Sequence, residues 1–457
     1  MITRLEATRY RCFEHLGIDV GDFRVLVGAN GSGKSTLLDL PGLFGDLLDA
    51  KYVIDAFVPR RRKSSEGKAR ASSLRELVFA GRGDDFSFAI EARLPEEVQS
   101  KLVEGMFQRL SKAQRQKTQS ALDIDKKRWP SHIRYELGLR VSEDRDLHVV
   151  QEFLFVFPEA FKPNREEPGY QGVRVGERKG KGWRMILQRE FGQTAEFTPE
   201  VPPPGARTRS TKVGIGNTLL AMPRMLFESE HEYPASRWLH SLLTTETVFL
   251  NPDWEEMRFA CPPGQPKAIT ADGRNVPWLA LDLKREGAPE GAPANYRSER
   301  YADWIAHVQT ALPQVVDIEV REREDDHHAY FVVSYKGDFK VPSPGLSDGT
   351  LRILTLTLLP YLSKQPAILV TEEPENGIHP RAIEAVLQSL SSMYDSQVWV
   401  SSHSPVVLAR AKLDQLLCAR LASEGGVEMV AGTDHPRLQE WRGGIDLGSL
   451  FAAGVLG

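Results

Sequence analysis

Residues 25–38 read VLVGANGSGKSTLL, and no other stretch limits the fold of this chain as strongly. An apolar run of strand type enters a glycine-rich loop and leaves it as a helix, the setting in which G-x-x-x-x-G-K-[ST] forms a phosphate site. Gly28, Gly31 and Gly33 let consecutive backbone amides turn toward one anion, Lys34 reaches the β and γ oxygens, and Ser35 can ligate magnesium. A plain glycine turn before a helix accounts for the glycines but not for Lys34 and Ser35 at that offset. Such a loop sits beyond the carboxyl end of a parallel strand, so the chain must build an α/β core around it.

Two later segments end in the same way. AILVTEEPENGIHP begins as an apolar run, typical of a buried parallel strand, and finishes in consecutive carboxylates. Glu372 is then placed to hold a magnesium shell and Glu373 to polarise an attacking water. QVWVSSHSP ends at His403, which is either a structural histidine or a hydrogen-bond partner for a γ-phosphate and its water. GLSDGTLRIL precedes an apolar helical period, and there Ser347 and Gly349 either present amides to an anion or form an ordinary N-cap. Arg352, one turn further on, reaches a phosphate or pairs with an acid.

The rest of the chain reads as a mixed α/β sequence. ITRLEATRYRCF and LGIDVGDF alternate as a hairpin before the phosphate loop, and DFSFAIEARL, HIRYELGLRV, HVVQEFLFVF and WRMILQREF are strand candidates. Pro41 should kink or stop the helix that follows Lys34. A helix is expected over 96–128, with Val98, Leu102, Met106 and Leu110 forming a face and no sustained heptad beyond it. YFVVSYKGDFKV and LLCARLASEGGVEMVAG read as hairpins, DDHH at 325–328 as a turn, and Asp272, Gly273 and Asn275 as a turn before a helix.

Lys and Arg total 58 against 62 Asp and Glu, a net charge of −4, so any anion-binding surface must be local. Its candidates are RRRK at 60–63, KKR at 126–128, RKGKGWR at 178–184 and RTRSTK at 207–212, each equally readable as a solvated loop. Three scattered cysteines, Cys12, Cys261 and Cys418, fit a reducing compartment. With no apolar run of membrane-spanning length, the expected location is the cytoplasm, with no membrane partner.

In this order the four motifs resemble the ATP-binding-cassette class, and more narrowly the RecF and OLD-like, SMC-related branch of AAA-family ATPases. The resemblance rests on NGSGKST, LSDGT, EEPENGIHP and HSP, and on TRYRCFEHLGIDVGDFRVLVGANGSGKST at the start. It covers about residues 1–45 and 340–410. It implies a two-lobed P-loop ATPase head, a mixed sheet plus a parallel core sheet, with a mixed α/β insertion between P-loop and signature. We divide the sequence accordingly into 1–95 (lobe I with Walker A), 96–328 (insertion and remaining lobe elements) and 329–457 (lobe II).

The resemblance also implies the ligands and roles. ATP and Mg2+ are the cofactors. Asn30, Gly31, Gly33, Lys34, Ser35 and Thr36 bind the nucleotide, Arg11 contacts its phosphates, Ser35 and Glu372 hold magnesium, Glu373 is the catalytic carboxylate and His403 senses the γ-phosphate. Ser347 and Gly349 contact ATP held by the other subunit, so two copies close head to tail as a homodimer or a unit of a larger oligomer. Glu372 stands where Asp is common, one methylene longer, which implies slow hydrolysis with normal binding. No glutamine is framed as the family's Q-loop residue.

A DNA-linked or anti-phage ATPase acting with a separate nuclease-like effector is the expected function. Only residues 404–457 follow His403, fewer than a TOPRIM nuclease domain needs. A transporter subunit is disfavoured by the long span between P-loop and signature, and an ATP-binding scaffold with little turnover is the alternative.

Overall fold

The structure, a computed structural model, describes residues 1–58, 69–108, 126–161, 183–202, 210–228, 231–293, 295–422, 425–438 and 446–454. The basic run 60–63, residues 178–182 and 207–209 of two others, and 109–125 of the expected 96–128 helix therefore lie outside the described residues. The chain divides into two compact units. One comprises 1–21, 39–245 and 421–429, and the other 22–38, 246–420 and 430–457.

The first unit is built on an eight-stranded sheet. Its strands are β1 (Ile2–Tyr10), β2 (Phe13–Asp19), β4 (Asp85–Arg93), β5 (Pro130–Ser142), β6 (Asp146–Pro158), β7 (Arg184–Glu190), β8 (Ala195–Phe197) and β9 (Thr211–Val213). They lie in the order β2-β1-β4-β5-β6-β7-β8-β9. All its strand pairs are antiparallel, as the alternating sequences suggest. A helix, Glu96–Gln108, follows β4.

The polar alternation of β5 does not face water. Register places Glu91 of β4 opposite Arg134 of β5, and Ala89 opposite both Glu6 and Glu136. Arg134 is buried and donates to Glu6 (2.7 Å), Glu91 (2.7 Å) and Glu136, while Arg4 donates to Glu6. Burial alone would raise the pKa of Glu6, but Arg134 and Arg4 outweigh it and hold it at about 2. For Glu136 burial prevails over Arg134 and its pKa is raised.

Replacing Arg134 with Met leaves three buried carboxylates without their shared cation. We expect a loss of about 3–5 kcal/mol in urea unfolding. In the native protein the contribution of Glu6 is complete above its ordinary pKa of 4.5 and declines as the pH falls toward about 2. An Arg134→Met variant as stable as wild type would contradict this account of the network.

The second unit is organised by a six-stranded sheet. Its strands are β10 (Thr247–Leu250), β14 (Ile368–Glu372), β15 (Gln397–Ser401), β3 (Phe23–Gly28), β16 (Leu416–Leu421) and β17 (Val427–Ala431). They lie in the order β10-β14-β15-β3-β16-β17. From β10 to β16 every pairing is parallel. β14 and β15 are buried through nearly every residue, the continuous apolar reading expected of strands covered on both faces. Around this sheet Val25, Leu369, Val398 and Val400 share a core with Trp304, Leu354 and Leu390 from the surrounding helices. β10 lies within the 96–328 segment of the sequence division, yet it forms an edge of this sheet. The remaining sheet, β11 (Val315–Glu322), β12 (Ala329–Tyr335) and β13 (Phe339–Pro342), is an antiparallel meander whose β11–β12 turn carries the DDHH run.

Pro41 does not stop its helix. The P-loop helix runs from Lys34 to Asp49 with Pro41 inside it. A helix-interior proline costs about 3 kcal/mol, but Leu37, Leu38, Leu40, Leu43, Phe44, Leu47 and Leu48 are all buried, and packing of that face outweighs one missing backbone bond. Among the described residues no helix is long and apolar enough to cross a membrane.

Candidate functional site

The parallel register decides what meets beyond the strand ends. Leu250 pairs with Thr371, Glu372 with Ser401, and Ser401 with Leu26, so the polar ends of β10, β14, β15 and β3 emerge at one edge. Glu373 N–H donates to Ser401 C=O (3.0 Å) and Ser402 N–H to Leu26 C=O (3.0 Å), which carries the alignment one residue past the strands. A cavity of about 520 Å³ opens there. It is lined by Asn30, Gly31, Lys34 and Ser35 from the P-loop, Glu372 and Glu373 from β14 and its exit, and His403 after β15.

The P-loop backbone takes the shape its glycines permit. Gly28, Gly31 and Gly33 have φ of 146°, 75° and 81°. A Cβ on Gly28 would lie 2.4 Å from the Ala419 carbonyl oxygen, so glycine is also demanded there by the neighbouring strand. A Cβ on Gly31 would meet nothing within 4 Å, which leaves that rim of the loop open. Lys34 Nζ donates to the carbonyls of Gly28 (2.9 Å) and Ala29 (2.8 Å), so the ammonium is held over its own loop. Burial lowers the Lys34 pKa, against the pull of Glu373 and Glu372.

Glu373 has φ 45°, a left-handed conformation rare for a residue with a side chain, and opens the E-P-E-N turn that Asn376 N–H closes on its carbonyl (2.9 Å). Its Oε1 lies 3.7 Å from His403 Nε2. Burial, then Lys34, lowers the His403 pKa against the opposing effect of Glu373, so the imidazole is neutral at pH 7. Behind them, Ser402 Oγ donates to Glu375 Oε1 (2.5 Å) and accepts from Ser404 N–H (3.0 Å), tying the β14 exit to the β15 exit. Sequence reasoning did not single out Glu375; the repeated glutamates of EEPE were the available signal.

These residues fit a magnesium-bound nucleotide. The Ser35 hydroxyl and the Glu372 carboxylate line one cavity, and magnesium is normally held by one or two carboxylates together with substrate phosphates. The P-loop lysine and glycine rim supply the anion side.

Ser347 caps the signature helix, Asp348–Leu358, its Oγ accepting from Thr350 N–H at 3.2 Å. Gly349 is required for a local reason: a Cβ there would lie 2.7 Å from the Gly377 carbonyl oxygen. Neither residue lines the cavity of its own chain. Thr36 is half-buried in the first turn of the P-loop helix. Arg11 belongs to the first unit, at the β1–β2 turn with φ 52°. At the DDHH run, His327 Nδ1 lies 2.9 Å from Glu322 and His328 Nδ1 lies 3.2 Å from Asp326. Among the described residues no group of three or more His, Cys, Asp or Glu could hold a metal.

The structure adds the loop after β10, which carries Asn251, Pro252 and Trp254 into the same cavity, and it brings Arg352 there from the signature helix. NPDW follows an apolar tetrad too short to stand out in the sequence, and only sheet order brings it beside β14.

Residues 270–409 match the sequence model of the family described as "AAA domain, putative AbiEii toxin, Type IV TA system". No curated protein matches the chain. Solved structures similar to it include an Smc head bound to the C-winged helix domain of ScpA (13% identity, TM-score 0.46, covering 94% of this chain and 97% of that one). Another is an Smc head domain with an extended coiled coil bound to the C-terminal domain of ScpA derived from Pyrococcus furiosus (12%, 0.43, 94% and 95%). A third is the SMC head domain from Thermotoga maritima (12%, 0.36, 94% and 98%). The AAA-domain match contains Glu372, Glu373 and His403, which share the cavity with the P-loop.

Proposed function

We propose that this protein is an ATP-hydrolysing head of the RecF/OLD-like branch, closing as a head-to-tail homodimer on ATP and working with a separate, nuclease-like effector in DNA repair or anti-phage defence in the cytoplasm. The observation that carries the reading is the convergence of Lys34, Ser35, Glu372, Glu373 and His403 on one cavity at the carboxyl edge of a parallel sheet. The matched family's description names a toxin–antitoxin system, which supports a defence setting with a second component. In functional terms 1–95 and 329–457 are the two ATPase lobes and 96–328 the insertion, with β10 contributed to the core from within it.

Each side chain has a part. Lys34 and the amides of 30–36 bind the phosphates, and Arg11 is a further phosphate contact. Ser35 and Glu372 would hold magnesium, which when bound supplies charge neutralisation at the phosphate oxygens. Glu373 accepts a proton from the attacking water, and neutral His403 donates an N–H toward the γ-phosphate region. Ser347 and Gly349 at the outward end of the signature helix serve the nucleotide of the second copy.

Steady-state ATP hydrolysis with and without double-stranded DNA, using Lys34→Ala as the blank, tests this function. Turnover that exceeds the blank and rises with DNA supports a DNA-linked ATPase, and its DNA affinity should then fall with salt by a slope of about −0.9 per neutralised phosphate. Binding without turnover supports the second reading, an ATP-binding scaffold, which the longer Glu372 side chain at the magnesium position favours. Burial and Lys34 lower the His403 pKa, so the acid limb of kcat/KM, which reports the free protein, should lie at lower pH than for an ordinary imidazole, activity being lost as the ring protonates on falling pH. A His403→Gln variant keeping the same acid limb would exclude His403 as its source.

A further inference from the structure

The signature helix offers one group that the proposed mechanism leaves unused. Arg352 sits one turn beyond the Ser347 cap, and its guanidinium carbon lies 4.4 Å from the ring centroid of Trp254, which comes from the loop after β10. On another side runs the backbone of Gly377, where an added Cβ would lie 3.6 Å from Arg352 Nε. Nε is inaccessible to water and has no hydrogen-bond partner. The acid best spaced to neutralise it, Asp348 at i−4, is instead bonded to Arg258, which also donates to the Leu346 carbonyl. Among the described residues Arg352 has no ion-pair partner.

A guanidinium does not shed its proton, and Arg352, half-buried with only the more distant pull of Asp348 beside it, keeps charge and donors with which to meet an anion in the cavity. The indole face supports the positive charge without supplying that anion. Arg352 and Trp254 both line the cavity shared by Lys34, Ser35 and the two carboxylates. Trp254 and Arg258 belong to one loop, so the segment that seats Arg352 also grips the start of the signature helix.

We infer that Arg352, laid on Trp254, is a phosphate-binding cation for the nucleotide held by Lys34 of the same chain, so that the signature helix binds its own nucleotide through Arg352. The inference rests on the ATPase reading. If the outward first turn serves the second copy, this helix touches both nucleotides, and the loop 251–259 ties the two contacts together.

The test is equilibrium titration calorimetry of the full chain with magnesium and either ADP or a non-hydrolysable ATP analogue. Arg352→Gln should weaken the triphosphate by about ten- to a hundredfold, the range of a lost charge-assisted hydrogen bond. Comparison with ADP tells which phosphate is touched. Trp254→Ala and Trp254→Leu should both weaken it several-fold while Trp254→Phe restores it; because Leu keeps apolar bulk without a ring face, loss of packing alone would not give that pattern. Affinity of Arg352→Gln within twofold of wild type, with binding lost in Lys34→Ala, overturns the role of Arg352 and leaves the ATPase reading standing. Wild type that binds neither nucleotide overturns both. Should Arg352→Gln fail to fold, Trp254→Ala decides, and unchanged affinity in that variant overturns the proposal.

Discussion

Lys34→Ala should lose nucleotide affinity by a factor of about 10²–10⁴, with turnover falling to background. The ammonium is the P-loop's own cation in the cavity and faces Glu372 and Glu373 across it. Removing it costs about two charge-assisted hydrogen bonds to phosphate, each about 1.5–3 kcal/mol. It also leaves two carboxylates facing an incoming anion with less positive charge to offset them. The folded state should tolerate the change better than the ligand does, because the bonds lost in the free protein are only the two to the carbonyls of Gly28 and Ala29. Calorimetric titration with ADP and an ATP analogue, beside a thermal melt, separates the two effects. Affinity within fivefold of wild type would remove Lys34 from the site and the phosphate reading with it.

Glu373→Gln should keep nucleotide affinity and slow single-turnover hydrolysis by about 10²–10⁴, the usual worth of a positioned general base. The amide preserves the shape of the side chain but cannot take a proton from water. Gln is isosteric with Glu, and the backbone bonds of Glu373, N–H to Ser401 C=O and C=O from Asn376 N–H, do not involve the carboxylate. With ATP retained and not cleaved, the closed homodimer should accumulate, visible by light scattering after gel filtration in ATP. Hydrolysis at the wild-type rate would show that another group is the base. Glu375 is a poor substitute, because its carboxylate is buried and bonded to Ser402.

The motifs were legible because each is local. A phosphate loop needs glycines, Lys34 and Ser35 within nine residues, and Glu372, Glu373 and His403 each end an apolar run that announces a buried parallel strand. Of the two outcomes expected at Pro41, a kink or a stop, the stop does not occur, because propensity is read one residue at a time whereas seven buried apolar neighbours hold that helix together. The charges of β5 and its neighbours resemble a solvated face in sequence, and only the pairing of Glu6, Glu91 and Arg134 across three strands turns them into a buried network.

By itself the sequence determined the phosphate loop, the carboxylate pair, the strand-type runs that carry them and the mixed α/β class, since periodicity and glycine placement act over a few residues. Tertiary structure alone decided which strands are neighbours. The order β10-β14-β15-β3 brings residues from four distant segments to one edge, because parallel partners are chosen by crossovers and core packing rather than by anything local. The same packing laid Arg352 on Trp254 and directed Asp348 to Arg258, contacts that depend on which surfaces remain once the sheet has closed.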